Sequence, residues 1–185
     1  GDKAQLRDML GRALPIDERE HGSDHTRVAV VLSNLGNADG DLGDHAQQRD
    51  MLERALAIKE RAYGRDHPDV AQTLMNLGAT YYQLDENAKA RDMLERALPI
   101  VEREHGSGST EVADVLNNLS NAYGDLGDQA KKRDMLERAL PIEEREHGSD
   151  HTRVAVVLSN LGNAYGDLGD HTKQRDMLER ELEIK

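Results

Sequence analysis

The tetrapeptide Arg-Asp-Met-Leu begins at Arg7, Arg49, Arg91, Arg133 and Arg175, a spacing of 42 residues every time. The frame around it repeats too: Asn34-Leu35, Asn76-Leu77, Asn118-Leu119 and Asn160-Leu161 keep the same interval. Residues 18–56 and 144–182, three periods apart, differ at only four of 39 positions. Self-similarity at a fixed period of this size is the signature of a repeat array, in which each unit buries its apolar face against its neighbours. Such near-identity fits recent duplication and deliberate consensus design equally.

Each period reads as two helices. In the first, Val28, Val31, Leu32, Leu35 and Leu42 share one face at ~100° per residue, which predicts burial of that face. The second carries Met51, Leu52, Ala55, Leu56 and Ala62 on one side, with the recurring Met residues as core fillers. Asp44, Asp128 and Asp170 are the expected N-caps of the second helix, and Gly64, Gly106 and Gly148 its stops, closed by a left-handed residue. Pro68 suits the first turn of the next helix, where its missing N–H has no intrahelical partner to lose. Pro15, Pro99 and Pro141 fall inside the second helix, where each removes a ladder hydrogen bond and is expected to bend it. Charged pairs such as Asp50 and Arg54 stand at the i, i+4 spacing and would add only ~0.3 kcal/mol each. Two helices with one apolar face apiece do not stand alone; stacked pairs do.

Composition narrows the function. The chain has 185 residues, 36 acidic against 24 basic, a net charge of −12, and no Cys, Trp or Phe. Without Cys there are no disulfides, thiolate zinc sites, iron–sulfur clusters or cysteine nucleophiles. No apolar run approaches the ~20 residues of a membrane span, and an acidic chain lacks the basic stripe that nucleic acid requires. The expectation is a soluble cytoplasmic protein that binds neither nucleic acid nor membrane.

Leu32-x2-Leu35-Gly36, Leu74-x2-Leu77-Gly78-x2-Tyr81 and Leu158-x2-Leu161-Gly162-x2-Tyr165 resemble the first helix of a tetratricopeptide (TPR) repeat, and Ala90-x3-Leu94 with Ala97 resembles its second. The period, with Asn in the first helix and Gly64-x-Asp66-His67-Pro68 before the next, is similar to the longer repeats of kinesin light chains and of NTPase sensor proteins. The resemblance spans essentially the whole chain. It implies an all-α, right-handed superhelical solenoid of antiparallel helix pairs with nine helices. Its divisions would be a leading second-type helix within 1–25, then repeats at 26–67, 68–109, 110–151 and 152–185. The chain begins inside a second-type helix, around Asp2 to Glu20, and ends inside another at Lys185. That reads as a piece of a longer array whose uncapped ends invite end-to-end self-association.

Two departures stand out. Gln48, Lys132 and Gln174 replace the small residue kept as Ala90, and their long stems would cover apolar surface while the polar ends reach water. Asp39 replaces Tyr81, Tyr123 and Tyr165; its carboxylate either reaches solvent or carries a desolvation cost, so the first full pair should be weakest and Asp39→Tyr stabilising.

Opposite the core face of the first helix runs a polar stripe: Val30, Asn34, Asn37 and Asp41; Asp114, Asn118, Asn121 and Asp125; Val156, Asn160, Asn163 and Asp167. The second repeat departs, with Gln72, Asn76, Ala79 and Gln83. In TPR arrays the first helices line the concave groove, so the resemblance places this Asn ladder there. A carboxamide both donates and accepts, as an extended peptide backbone requires. Gly40, Gly124 and Gly166 would leave room, and Tyr82 would add one aromatic contact. Two readings stand: the Asn residues contact a peptide, or they bridge neighbouring repeats. Asp41, Asp125 and Asp167 favour a neutral to basic ligand under the first reading and are solvated acids near a helix end under the second.

The His pairs 21/25 and 147/151 lack a third ligand and read as loop packing rather than a metal site. Asn37-x-Asp39-x-Asp41 lacks the turn Gly and bidentate Glu of a calcium loop. No phosphate loop or nucleophile motif appears, so no cofactor and no catalyst are expected. The favoured function is a protein-interaction scaffold; the alternatives are a self-assembling segment and the sensing arm of a larger NTPase-type protein.

Overall fold

The computed structural model describes residues 2–184. These form nine α-helices and no strand: α1 (Asp2–His21), α2 (Thr26–Asp41), α3 (His45–Tyr63), α4 (Pro68–Gln83), α5 (Asn87–His105), α6 (Thr110–Asp125), α7 (Gln129–His147), α8 (Thr152–Asp167) and α9 (His171–Glu183). They pack as two units, one running to Ile100 and the other from Val101. In the first unit α2 packs on α1 and α3, and α3 on α4. In the second, α6 packs on α7, α7 on α8 and α8 on α9. The expected last second-type helix is α9, and its extension to Lys185 lies outside the described residues.

The apolar periodicity builds the core. In the first unit Val28, Ala29, Leu32, Ala55 and Ile58 cluster, with Leu14 and Met51 against them. In the second, Leu136, Leu140, Val154, Val157, Leu158, Leu161 and Tyr165 do the same. Three positions of the expected faces lie outside. Leu42 is the C-cap residue of α2 and half exposed, Ala62 is exposed in the last turn of α3, and Met9 on α1 is 66% exposed. The prolines at 15, 99 and 141 sit inside helices whose backbone runs unbroken through them.

The caps follow the sequence closely. Asp44, Asp128 and Asp170 accept hydrogen bonds from the backbone N–H of Gln47, Lys131 and Lys173. At the other end Gly64 and Gly148 have φ of 87° as expected of a stop, but ψ of 161° and 152°. That is the extended region beyond the left-handed helix, essentially closed to any side chain, so these positions are more strictly glycine than a left-handed cap would be. His25, His67 and His151 cap the first-type helices through Nδ1 and stack on His21, Tyr63 and His147.

The expected Asp50–Arg54 pair does not form. Asp50 instead takes the neighbouring Arg49, and Arg54 donates to Glu18 on the preceding second-type helix, 2.7 Å away. Arg96 to Glu60, Arg138 to Glu102 and Arg180 to Glu144 repeat that bridge. Sequence spacing within one helix missed a stride of 36 residues that joins successive repeats.

Candidate ligand-binding face

Helical geometry turns the polar stripe away from the apolar face, and the side chains lie where it puts them. Asn34, Asn37, Asp41, Asp125, Asn163 and Asp167 are exposed; Asn76, Asn118, Asn121, Asn160 and Tyr82 are half-buried. None lies in the core.

In the first unit the stripe is internally linked. Gln72 donates to Asn76 Oδ1 at 3.2 Å, and Asn76 Nδ2 donates to Asn37 Oδ1 at 3.4 Å, tying α4 to α2. Asp41 is paired with Lys3 of α1 at 3.3 Å. Beside these residues opens a cavity of about 330 Å³, bounded by Asn37, Gly40 and Asp41 of α2, His45 and Gln48 of α3, and Ala79, Thr80 and Gln83 of α4. It is the point where two first-type helices and the second-type helix between them converge.

In the second unit the equivalent amides stay open. Among the described residues, Asn118, Asn121, Asn160 and Asn163 make no side-chain hydrogen bond. Asp114, on the same stripe, is held by Arg153 of α8. Bridging is thus seen for Asn37 and Asn76, whereas the amides on α6 and α8 carry no such bridge.

The glycines play a different part from the expected one. A Cβ on Gly40 or Gly166 would overlap the side chain of Gln48 or Gln174, and one on Gly124 would crowd Lys132. The room left by each glycine is filled by the long residue of its own second helix. Where Tyr82 replaces the glycine, Ala90, fully buried, replaces the long residue.

Sequence reading missed the centre of the second unit. Glu143 of α7 is fully buried, yet Arg153 donates to both its oxygens (2.8 and 2.9 Å), Asn117 donates to Oε1 at 3.0 Å, and His147 stands 3.4 Å away. Its counterpart on α1 is Asp17, which accepts from Arg27 at 2.7 Å. The signal was present as an acid ten residues before an arginine in both places. Among the described residues no three His, Asp or Glu gather as metal ligands would, and no helix is long and apolar enough to cross a membrane.

A family model described as tetratricopeptide repeat matches residues 1–61, 41–103, 76–142 and 111–185. No curated protein gives a significant match. Among solved structures, BtubC (BKLC) from P. vanneervenii is 25% identical with a TM-score of 0.86, over 100% of this chain and 73% of that one. A kinesin-light-chain-like protein of Podosopora anserina with nearly identical TPR-like repeats is 20% identical with a TM-score of 0.85, covering 100% and 87% of the two chains. A MamA structure, 19% identical with a TM-score of 0.71 over 94% and 85%, shares the fold.

Proposed function

The chain belongs to the tetratricopeptide repeat family, whose fold generally serves as a scaffold for protein–protein interaction, and from this premise we propose that its first-type helices hold an extended peptide or a partner helix of neutral to basic charge. Such scaffolds are typically not enzymes. The observation that supports the reading is the set of half-buried or exposed amides on α6 and α8 that no other side chain uses. A carboxamide in that state offers a donor and an acceptor without first breaking an internal bond. The exposed Asp125 and Asp167 beside them set the preferred charge.

A peptide-library pull-down comparing wild type with Asn118→Ala plus Asn121→Ala tests this. Loss of the captured peptides with an unchanged melting curve is the expected result; equal retention of every peptide removes the proposal.

A second reading is self-association. It is favoured by the exposed Leu6 and Met9 on α1 and Leu182, 83% exposed, on α9. Light scattering over a concentration series distinguishes it, because stacking would raise the apparent mass with concentration.

A further inference from the structure

Each second-type helix from α1 to α7 carries, near its C-terminal end, one residue that sits at the junction with the next first-type helix: Asp17, Lys59, Val101 and Glu143. All four are buried. Ten residues on, in the first turn of that next helix, stand Arg27, Asp69, Glu111 and Arg153. Two of these pairs form direct ion pairs, Asp17 with Arg27 at 2.7 Å and Glu143 with Arg153 at 2.8 Å. At the α3–α4 junction the sign is reversed. Lys59 Nζ donates to Thr73 Oγ1 at 2.9 Å, and Thr73 Oγ1 donates to the backbone carbonyl of Asp69, whose own carboxylate is exposed. Burial lowers the Lys59 pKa, and the charge of Asp69 counters that shift. The equivalent position of α5 holds Val101, buried and uncharged.

We propose that this buried residue is a charge key that selects which first-type helix may dock on each second-type helix. An acid key on α1 or α7 accepts the Arg-bearing α2 or α8 and meets a like charge in α4 or α6. The Lys59 key on α3 accepts an acid-bearing helix and repels α2 and α8. The discrimination comes from building a penalty against the wrong partner, because the buried member of a like pair has little water and no opposite charge to satisfy it. Successive repeats share the Asn-Leu and Arg-Asp-Met-Leu frame at every period, so the apolar faces alone do not distinguish one neighbour from the next. The keys of α1 and α3 differ in sign, so their adjacent first-type helices are not interchangeable. The keys of α1 and α7 match, so α2 and α8 are.

Two variants of the full chain, each with the composition and net charge of wild type, test the key. The half exchange swaps the keys alone, Asp17→Lys with Lys59→Asp. It sets an ammonium against Arg27 at one junction and a carboxylate against Asp69 at the other. The full exchange adds Arg27→Asp, Val31→Thr, Asp69→Arg and Thr73→Val, so that each junction receives the other's complete set. The half exchange is expected to lower the melting temperature by about 10 °C and to refold with a multimeric fraction on size exclusion. The full exchange is expected to regain most of that loss and to refold as wild type does. A half exchange that melts with wild type overturns the proposal. So does a full exchange no more stable than the half, which would mean that burial of the particular side chains, and not their matching, sets the junction.

Discussion

The segments 18–56 and 144–182 differ at four of 39 positions, yet they close their helix pairs by different chemistry. In the later segment Tyr165 is buried, its hydroxyl donates to Glu137 of α7, and Lys173 lies 4.8 Å from the ring centroid. Tyr81 repeats the arrangement with Glu53 and Lys89. In the earlier segment Asp39 takes the tyrosine's place, Gln47 the lysine's and, on α1, Gly11 the glutamate's. Asp39 is 3% exposed and accepts from Arg7 Nε at 2.9 Å. The carboxylate does not reach solvent; of the two expectations its burial realises the desolvation cost, which the ion pair with Arg7 offsets. The aromatic site is one unit of three side chains from three helices. Where the ring is absent, its hydroxyl acceptor and its cation are absent too, and an ion pair fills the gap.

The largest expected effect falls on the arginine the two segments share. Arg153→Ala leaves Glu143 buried with Asn117 and His147 alone, and should cost about 2–3 kcal/mol in urea denaturation. That is less than the ~3–5 kcal/mol of a fully buried pair, because the guanidinium is partly solvated. Arg27→Ala should cost less, since Asp17 keeps some contact with water. An equal loss at both sites would show that the Glu143 network adds nothing.

Transplanting the aromatic unit comes next. Asp39→Tyr alone exchanges an ion pair for ring burial and should move stability by no more than about 0.5 kcal/mol, because its hydroxyl would face Gly11 and not a glutamate. Adding Gly11→Glu and Gln47→Lys should raise stability by about 1–2 kcal/mol through the restored hydrogen bond, the cation over the ring and the removal of a mid-helix glycine. A Cβ at Gly11 meets open space, so the glutamate has room. Chevron or equilibrium unfolding midpoints of the two variants decide it; a triple variant no better than the single would show that the three residues act independently.

The smallest effect is in alkali. Burial first, and the hydrogen bond to Glu137 second, push the Tyr165 pKa from its ordinary value of 10.0 up to about 12. A folded-state pKa above the unfolded one means stability that is whole below pH 10 and is lost as pH climbs toward 12. Tyr81 is shifted in the same direction for the same reasons. Tyr165→Phe should flatten part of that decline, and ultraviolet difference titration should show late-ionising tyrosine in wild type. Ionisation of all five tyrosines near pH 10 would contradict the buried hydrogen bond.

Much of the fold was legible because its determinants are local. Helix pairs, the Asp N-caps and the glycine stops depend on residues within a turn of one another. The candidate face was legible for the same reason: Asn118 and Asn163 lie opposite Leu116 and Leu161 by helical angle alone. What stayed hidden were the partners. Gly40 looked like space for a ligand, and only the packing of α3 against α2 assigns that space to Gln48. Arg54 looked like a partner for Asp50, and only the neighbouring helix supplies Glu18.

By itself the sequence determined the period, the two-helix unit and the side of each helix that is apolar, since those follow from backbone dihedrals and a 3.6-residue turn. Tertiary structure alone decided how deeply each side is covered. Leu52 is fully buried while Leu178, in the same Arg-Asp-Met-Leu, is half-buried, because α4 lies over α3 and no described helix follows α9. It also decided that Asp39 meets Arg7 across 32 residues of chain, a pairing set by the reach of side chains between helices and invisible to any local rule.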